Sequence, residues 1–374
     1  MTPRTTPPFR ADHVGSLLRP PALFRAREDH AAGRLDDDGL RAAEDEAIAD
    51  AVRMQEAIGL RSATDGEYRR ASWMTDFAYE LGGVSPTGTI ATPAPAGGRL
   101  ELSPRTGASL MQVDGPIALE HVIFGDDFRT LQSLVTTATP KLTIPSPSMI
   151  HFRSGRDEID ADAYPDLDAF WDDLVAAYRA ELAGLADLGC TYLQLDDVSL
   201  AYVNDPAQRE RLARIGGDPD HQHETYVEQM NRVLAGRPEG MTVTTHLCRG
   251  NLRSSWMAEG SYDFVADALF NGLDVDGFFL EYDDARSGGF EPLRLVPRDK
   301  VVVLGLVTTK TGELERKDDL KRRIEEASRY IDVDQLCLSP QCGFASVVEG
   351  NALTYDDQTA KLRLVVETAE EVWG

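Results

Sequence analysis

Cysteine, positive charge and long apolar runs are all scarce in this sequence of 374 residues. Its four cysteines are too few and too scattered for a disulfide framework, and they favour a reducing, cytosolic setting. No run of about 18 apolar residues exists, so a membrane span is not expected. The first residues, MTPRTTPPFRADH, also lack the apolar core of a secretory signal.

The shortage of positive charge excludes two classes of partner. Lysine and arginine number 38 against 63 acidic residues, which gives a formal net charge of −25. Such a field repels nucleic acid and anionic membrane surfaces, so we expect neither as a partner. The same charge is typical of a well-hydrated surface and selects no partner. It leaves the oligomeric state open, a homo-oligomer included.

Short apolar segments alternate with helical patterns along the chain. Several of these segments are continuous apolar runs, as in parallel strands that are buried on both faces. Eight β/α units in one chain predict a single (β/α)₈ TIM barrel over residues 1–374. The eight predicted strands are ADHVGSLL, RSATDGE, KLTIPSPS, TYLQLDD, TVTTHLC, GFFLEYD, VVVLGLV and QLCLSPQCG.

Residues 82–115 depart from the β/α alternation. This segment is rich in glycine and proline and carries alternating residues in RLELS and SLMQVDG, so it predicts a β-hairpin inserted after the second strand. Apolar spacing predicts helices over residues 35–59 and 172–189, the latter stopped by Gly189, and charge spacing predicts one over 314–331.

Residues with metal-ligating side chains follow three of the predicted strands. His246 and Cys248, in VTTHLCRGN, share one face of the fifth strand because residues i and i+2 of a strand point the same way. Glu281 closes the sixth strand and Cys342 follows the eighth. Barrel active sites lie at these carboxyl ends. One imidazole, two thiolates and a carboxylate suit Zn²⁺.

Packing is the alternative explanation for each cysteine. Cys190 and Cys337 lie in or beside apolar strands and are expected to be core residues. The H-x-C spacing of the fifth strand is not a standard zinc-finger pattern. Ligands from three separate strand ends instead indicate a catalytic zinc with one exchangeable position. Because zinc keeps a bound thiol ionised at neutral pH, these residues favour thiol alkylation.

A set of motifs in the same order resembles the cobalamin-independent methionine synthases, and more closely their short, single-barrel methionine synthase II-like relatives. The resemblance runs from about Phe9 to the last helix. It implies a barrel, a catalytic zinc and methyl transfer to the thiol of homocysteine. The implied zinc ligands are His246, Cys248, Cys342 and an exchangeable Glu281. The motifs are HVGSLLRP, TDGEYRR, YLQLDD, THLCRGN, LEYDD and LSPQCGFAS.

The resemblance also implies substrate-binding residues. Glu67 and Asp196 match carboxylates that hold the homocysteine ammonium, and Ser16 matches a residue that contacts the amino acid carboxylate. Glu67 and Asp196 end the second and fourth predicted strands, so both would face one mouth of the barrel and attract a cation. A structural ion pair with Arg69 or Arg70 is the alternative.

Two departures from the family leave the methyl donor open. The full-length synthases have two barrels, and this chain matches only the C-terminal one. Lys310 stands where the family has a histidine thought to help the methylfolate amine leave. It is either a catalytic proton donor with an altered pKa or a cation that faces solvent or phosphate. The expected donor is therefore a methylfolate or a methylcorrinoid on a partner corrinoid protein.

Two other functions remain as alternatives. The zinc-barrel pattern also resembles the epoxyalkane–coenzyme M transferases, in which a thiolate opens an epoxide. Coenzyme M carries a sulfonate and no amine, so Glu67 and Asp196 argue against that substrate. The third hypothesis is a non-catalytic zinc-binding barrel. Zinc whose coordination does not respond to thiols would favour it.

Overall fold

Six parallel strands form the central sheet of this protein, described here from a computed structural model that covers residues 4–87, 98–99 and 111–374. All six belong to the eight strands predicted from the sequence. Every residue of these strands except Thr242 is buried, which explains their continuous apolar runs. In sheet order they are Leu336–Pro340, Val301–Val307, Gly277–Glu281, Thr242–Leu247, Tyr192–Asp197 and Leu142–Pro145.

The register of the sheet brings polar residues together at its carboxyl edge. Asp196 is opposite His246 on the neighbouring strand, and His246 is opposite Phe279 on the next. Cys248 follows its strand by one residue, and Cys342 follows the last strand by two. The side chains that the sequence predicts to be functional therefore start from one edge, as parallel strands require.

The other two predicted strands are much shorter than expected. Ser62–Ala63 pairs in parallel with Thr139–Pro140, directly before the strand Leu142–Pro145. From the segment 11–18, only Ala11 forms a bridge, with Leu338 of the last strand. A backbone hydrogen bond also joins these two segments to each other, because the Leu17 amide donates to the Gly66 carbonyl at 3.0 Å. The described residues thus show a mixed α/β fold with a parallel sheet.

The predicted helices are present. Residues 35–59 contain a helix whose start is capped by the Asp36 side chain, which accepts from the Gly39 amide. Gly189 has a φ of +90° two residues after a second helix ends, which suits a glycine stop. The α-helices are Pro21–Ala31, Asp37–Ala57, Thr75–Ala78, Gly125–Leu134, Ser148–Ser154, Leu167–Asp187, Ser199–Tyr202, Pro206–Arg214, Gln222–Leu234, Lys317–Ala327 and Tyr355–Trp373. Shorter 3₁₀ or π segments are Asp267–Gly272, Ala285–Ser287, Glu291–Leu295 and Val333–Gln335.

Antiparallel pairing occurs in the segment that predicts an inserted hairpin. Gly82–Pro86 pairs with Met111–Ala118, while residues 88–97 and 100–110 lie outside the described part of the chain. Between them, Gly98–Arg99 pairs in parallel with Ser255–Trp256. Arg99 also forms ion pairs with acidic residues on that side, namely Asp205 and Glu259. The segment therefore reaches the part of the fold that follows the His246 strand.

The hydrophobic core accounts for two of the four cysteines. Cys190 belongs to the main core between the sheet and the surrounding helices, and Cys337 packs with Val14 and Phe279 in a smaller cluster. Both are buried and free, as the sequence predicts for core cysteines. No helix in the described residues combines the length and the apolar character that a membrane crossing needs.

Candidate metal centre and substrate cavity

His246, Cys248 and Cys342 come together at the carboxyl edge of the sheet. Their ligand atoms all lie within 4.8 Å of one another, and all three residues are buried. The two sulfur atoms are 3.2 Å apart. Three side chains from two distant parts of the sequence thus form one group that could hold a metal ion.

The chemistry of this group suits zinc. His246 Nδ1 lies 3.3 Å from the Phe279 carbonyl oxygen, while its Nε2 is buried without a hydrogen-bond partner among the described residues. A carbonyl partner on one ring nitrogen orients the other as a metal ligand. The hydrogen bond with Cys342, together with burial, raises the pKa of the Cys248 thiol well above its usual value. A bound divalent cation would lower the pKa of the Cys248 thiol again, because it favours the thiolate form.

A cavity of about 210 Å³ connects this group with the predicted substrate residues. Besides the three metal-ligand candidates, its wall includes Ser16, Glu67 and Asp196. Apolar side chains line much of the remaining wall, among them Trp73, Val198, Leu252 and Met257. Six residues that the sequence places in five separate segments therefore share one small, largely apolar space.

Glu67 and Asp196 place two carboxyl groups at the cavity. The Glu67 Oε1 atom accepts a hydrogen bond of 2.8 Å from Thr143, whereas its Oε2 is buried without a partner among the described residues. Burial raises the pKa of Asp196 to about 7, against the lowering influence of His246 and with a further raising influence from Glu67. An ammonium group between the two carboxylates would favour their ionised forms.

The structure partly supports the alternative of an arginine partner for Glu67. Arg69 instead contacts acidic residues on the outer helices, including Asp127 at 2.8 Å. Arg70 Nη1 lies 3.9 Å from Glu67 Oε1, which is a long ion pair. Since Glu67 Oε2 has no partner among the residues that the structure describes, that contact leaves one carboxylate oxygen available to a ligand.

Ser16 depends on a glycine for its place in the cavity. Its hydroxyl oxygen accepts a hydrogen bond of 3.4 Å from the Ala345 amide. A Cβ atom at Gly343 would lie 2.0 Å from the Ser16 Oγ. Only glycine allows this close approach, which brings Ser16 next to the loop that carries Cys342.

Glu281 lies beside the metal-ligand group but is held by other partners. Its carboxylate accepts from the Arg249 amide at 2.7 Å and forms ion pairs with Lys310 at 3.1 Å and Arg286 at 3.2 Å. Burial raises the pKa of Glu281, but the nearby cations, Lys310 foremost, outweigh burial and keep the pKa below its ordinary value. In this arrangement Glu281 is an ionised carboxylate with a complete set of donors.

Lys310 is a buried cation in the same network. Its Nζ also pairs with Asp283 at 3.2 Å, and the residue does not line the cavity. Burial lowers the pKa of Lys310, but the two carboxylates outweigh burial and raise the pKa above its ordinary value. A cation with a raised pKa is a weak proton donor. The geometry therefore favours a positioning role for Lys310, through Glu281.

Comparison with known proteins places the chain in a family. Residues 9–371 match the family model described as the catalytic domain of cobalamin-independent synthase. The chain belongs to this family. It is 48% identical to the protein YxjG of Bacillus subtilis over 372 residues, which cover 99% of this chain and 96% of that one.

Other relatives carry the name methionine synthase. A methionine synthase of Pyrococcus abyssi is 24% identical over 330 residues, 88% of this chain and 84% of the relative. The solved structure of a putative vitamin-B12-independent methionine synthase from Listeria monocytogenes is 35% identical, with a TM-score of 0.78. That alignment covers 99% of this chain and all of the Listeria chain. The family as a whole is zinc-dependent, and this member has a His/Cys group suited to that ion.

Several cavity residues of this family member were not found by sequence reasoning. Arg153 and Arg211 line the cavity from helices that follow two of the strands, and Trp73 and Tyr202 complete its wall. None of the four belongs to a motif with a known spacing. For Arg153, in KLTIPSPSMIHFRSG, its position after the carboxyl end of a predicted strand was the one feature of the sequence that indicated a place in the site.

The buried network predicts a large stability effect at Lys310. We expect Lys310→Met to lower the free energy of unfolding by about 3 kcal/mol, because the Glu281 and Asp283 carboxylates lose a buried counter-charge. Urea unfolding measures this effect. Lys317→Met, which removes two solvent-accessible ion pairs, is the control and should change stability by no more than about 1 kcal/mol. Unchanged stability in Lys310→Met would mean that Lys310 is not a structural counter-charge.

Proposed function

We propose that this protein is a zinc-dependent S-methyltransferase that transfers a methyl group to the thiol of homocysteine, as in methionine synthesis. One observation carries the proposal. The same 210 Å³ cavity is lined by the imidazole and two thiols suited to zinc and by two carboxylates suited to an ammonium group. A small molecule with a thiol at one end and an amine at the other matches both walls.

His246, Cys248 and Cys342 are the proposed zinc ligands, with Glu281 as the exchangeable fourth. Bound zinc supplies one element of the chemistry, since it lowers a substrate thiol's pKa and keeps the sulfur nucleophilic. Glu67 and Asp196 hold the ammonium, and Ser16 contacts the carboxylate. The bond from sulfur to methyl forms as the bond from methyl to the donor breaks, and the donor keeps the electron pair.

The remaining parts of the proposal concern the donor and the fold. The donor is a methylfolate or a methylcorrinoid, and a corrinoid requires no proton donor because its metal takes the electron pair. We further propose that residues 1–374 form a single closed (β/α)₈ barrel. The hydrogen bonds of Asp12 with Leu338 and of Leu17 with Gly66 support closure. The strands Gly82–Pro86 and Met111–Ala118 support a hairpin insertion at about 82–115.

X-ray absorption at the zinc edge tests the function directly. Zinc-loaded protein is titrated with homocysteine, with 4-mercaptobutyrate, which lacks the amine, and with 2-mercaptoethanesulfonate, a sulfonate thiol. We expect homocysteine to add one sulfur ligand to zinc at the lowest concentration, because only homocysteine uses both walls of the cavity. The spectrum without thiol is the reference.

Two other outcomes would contradict the proposal. A response to 2-mercaptoethanesulfonate at lower concentration than homocysteine would favour the coenzyme M type of thiol transferase. Zinc whose coordination changes with none of the three thiols would favour a non-catalytic zinc-binding barrel.

A further inference from the structure

Two arginines of the cavity wall have no acidic partner in the described part of the chain. Arg153 lies at the end of the helix Ser148–Ser154, and Arg211 lies in the helix Pro206–Arg214. Neither forms an ion pair or a hydrogen bond with any described residue, although acidic residues outnumber basic ones in this chain by 63 to 38. A guanidinium group without a counter-charge loses favourable hydration in a largely apolar cavity, so an anionic ligand would stabilise both arginines.

Both arginines are partly buried beside aromatic or charged neighbours. Arg153 Nε is buried without a partner, and the guanidinium carbon lies 5.7 Å from the Phe152 ring centroid and 6.0 Å from that of Tyr202. Burial, and then the charge of Arg153, lowers the pKa of Arg211 to about 10. Arg211 therefore remains a cation at neutral pH, and the nearby positive charge of Arg153 is unfavourable to it.

The arginines enter the cavity from different elements than the carboxylates. Arg153 and Arg211 lie in the helices Ser148–Ser154 and Pro206–Arg214, whereas Asp196 lies in the strand Tyr192–Asp197 and Glu67 follows the strand Ser62–Ala63. In homocysteine the carboxylate and the ammonium share one carbon atom, so its carboxylate must stay near Glu67 and Asp196. Bound homocysteine would thus leave Arg153 and Arg211 free to bind a second molecule.

We propose that Arg153 and Arg211 form an anion-binding subsite that holds a carboxylate or phosphate group of the methyl donor. Two guanidinium groups are well suited to bidentate hydrogen bonds with either oxyanion. A cavity of about 210 Å³ is smaller than the roughly 300–1,000 Å³ of drug-sized ligand sites. The anion therefore belongs to a compact donor or to one end of a larger one. The assignment to the donor rests on the proposed function, while the anion site itself does not.

Titration calorimetry of zinc-loaded protein with inorganic phosphate, and separately with glutarate, tests the subsite at low ionic strength. We expect Arg153→Gln and Arg211→Gln each to weaken binding of the preferred probe about tenfold or more. Arg214→Gln, an exposed arginine on the same helix as Arg211, is the matched control and should bind like the natural protein. Whichever probe binds more tightly shows whether the subsite prefers phosphate or carboxylate.

Two further measurements separate this proposal from a structural role and from the proposed function. Thermal unfolding of both variants should occur at or above the natural midpoint, because a partly buried cation without an acidic partner among the described residues is removed. The homocysteine-dependent zinc–sulfur signal should persist in both variants. Its loss would assign the arginines to the acceptor and overturn the donor assignment.

Equal binding of both probes by the Arg153→Gln, Arg211→Gln double variant and the natural protein would overturn the subsite. If natural protein gives no zinc–sulfur signal but binds an oxyanion through these arginines, the proposed function fails and the anion site stands.

Discussion

Replacing Cys248 and Cys342 together with serine should remove zinc from the purified protein, from about one ion per chain to nearly none. A serine hydroxyl is not ionised at neutral pH, so His246 would remain as the one strong ligand of the group. Structural zinc sites in peptides are worth about 10–16 kcal/mol, and the loss of two thiolates removes most of such affinity. Metal analysis of protein purified without added zinc measures the effect.

Cys190→Ser is the matched control for this experiment. Cys190 is also buried and free, but unlike Cys248 and Cys342 it does not line the cavity. That variant should keep its zinc. Full zinc occupancy in the Cys248→Ser, Cys342→Ser double variant would show that the ion is bound elsewhere, and the proposed metal centre would have to be abandoned.

Glu67→Gln should weaken homocysteine binding by roughly 10- to 150-fold while zinc content stays the same. The change keeps the size of the side chain and its contact with Thr143 but removes one charge from the ammonium site. A hydrogen bond to a charged group is worth about 1.5–3 kcal/mol, which corresponds to that range of affinity. Competition calorimetry with zinc-loaded protein gives the two dissociation constants.

A thiol without an amine and a surface variant are the controls for Glu67→Gln. 4-Mercaptobutyrate lacks the amine, so its affinity should be the same in the natural protein and the variant. Glu80→Gln changes an exposed glutamate and should leave homocysteine affinity unchanged. If 4-mercaptobutyrate binds the natural protein as tightly as homocysteine does, the Glu67 and Asp196 carboxylates have another role.

Much of the site could be predicted because its residues follow apolar strands. Strand ends determine where side chains converge in a parallel sheet, and the structure brings His246, Cys248 and Cys342 together there. The short pairing of residues 62–63 and the single bridge at Ala11 were not predictable from apolar patterning. Side-chain hydrogen bonds hold these segments, as with Thr64 and the Gly15 carbonyl, and they have no sequence period.

The charged partners of the site could not be predicted either. Glu281 was expected at the barrel rim, but its ion pairs with Arg286 and Lys310 depend on the loop conformations after two strands. Arg153 and Arg211 are brought to the cavity by helices from different β/α units. Such contacts form between residues far apart in sequence, and their charges alone allow many other pairings on an acidic surface.

The donors around Glu281 have a consequence for the speed of ligand exchange in the proposed reaction. A carboxylate that leaves a metal inside a protein would ordinarily be stranded in a low-dielectric space, and the exchange would be slow. Here the Glu281 carboxylate accepts a hydrogen bond from the Arg249 amide and forms ion pairs with Lys310 and Arg286, which stabilise its charge away from the metal-ligand group. If Glu281 is the exchangeable ligand of the proposed zinc, these donors would stabilise its carboxylate once it had left the ion, so the arrival of a thiol would need less driving force.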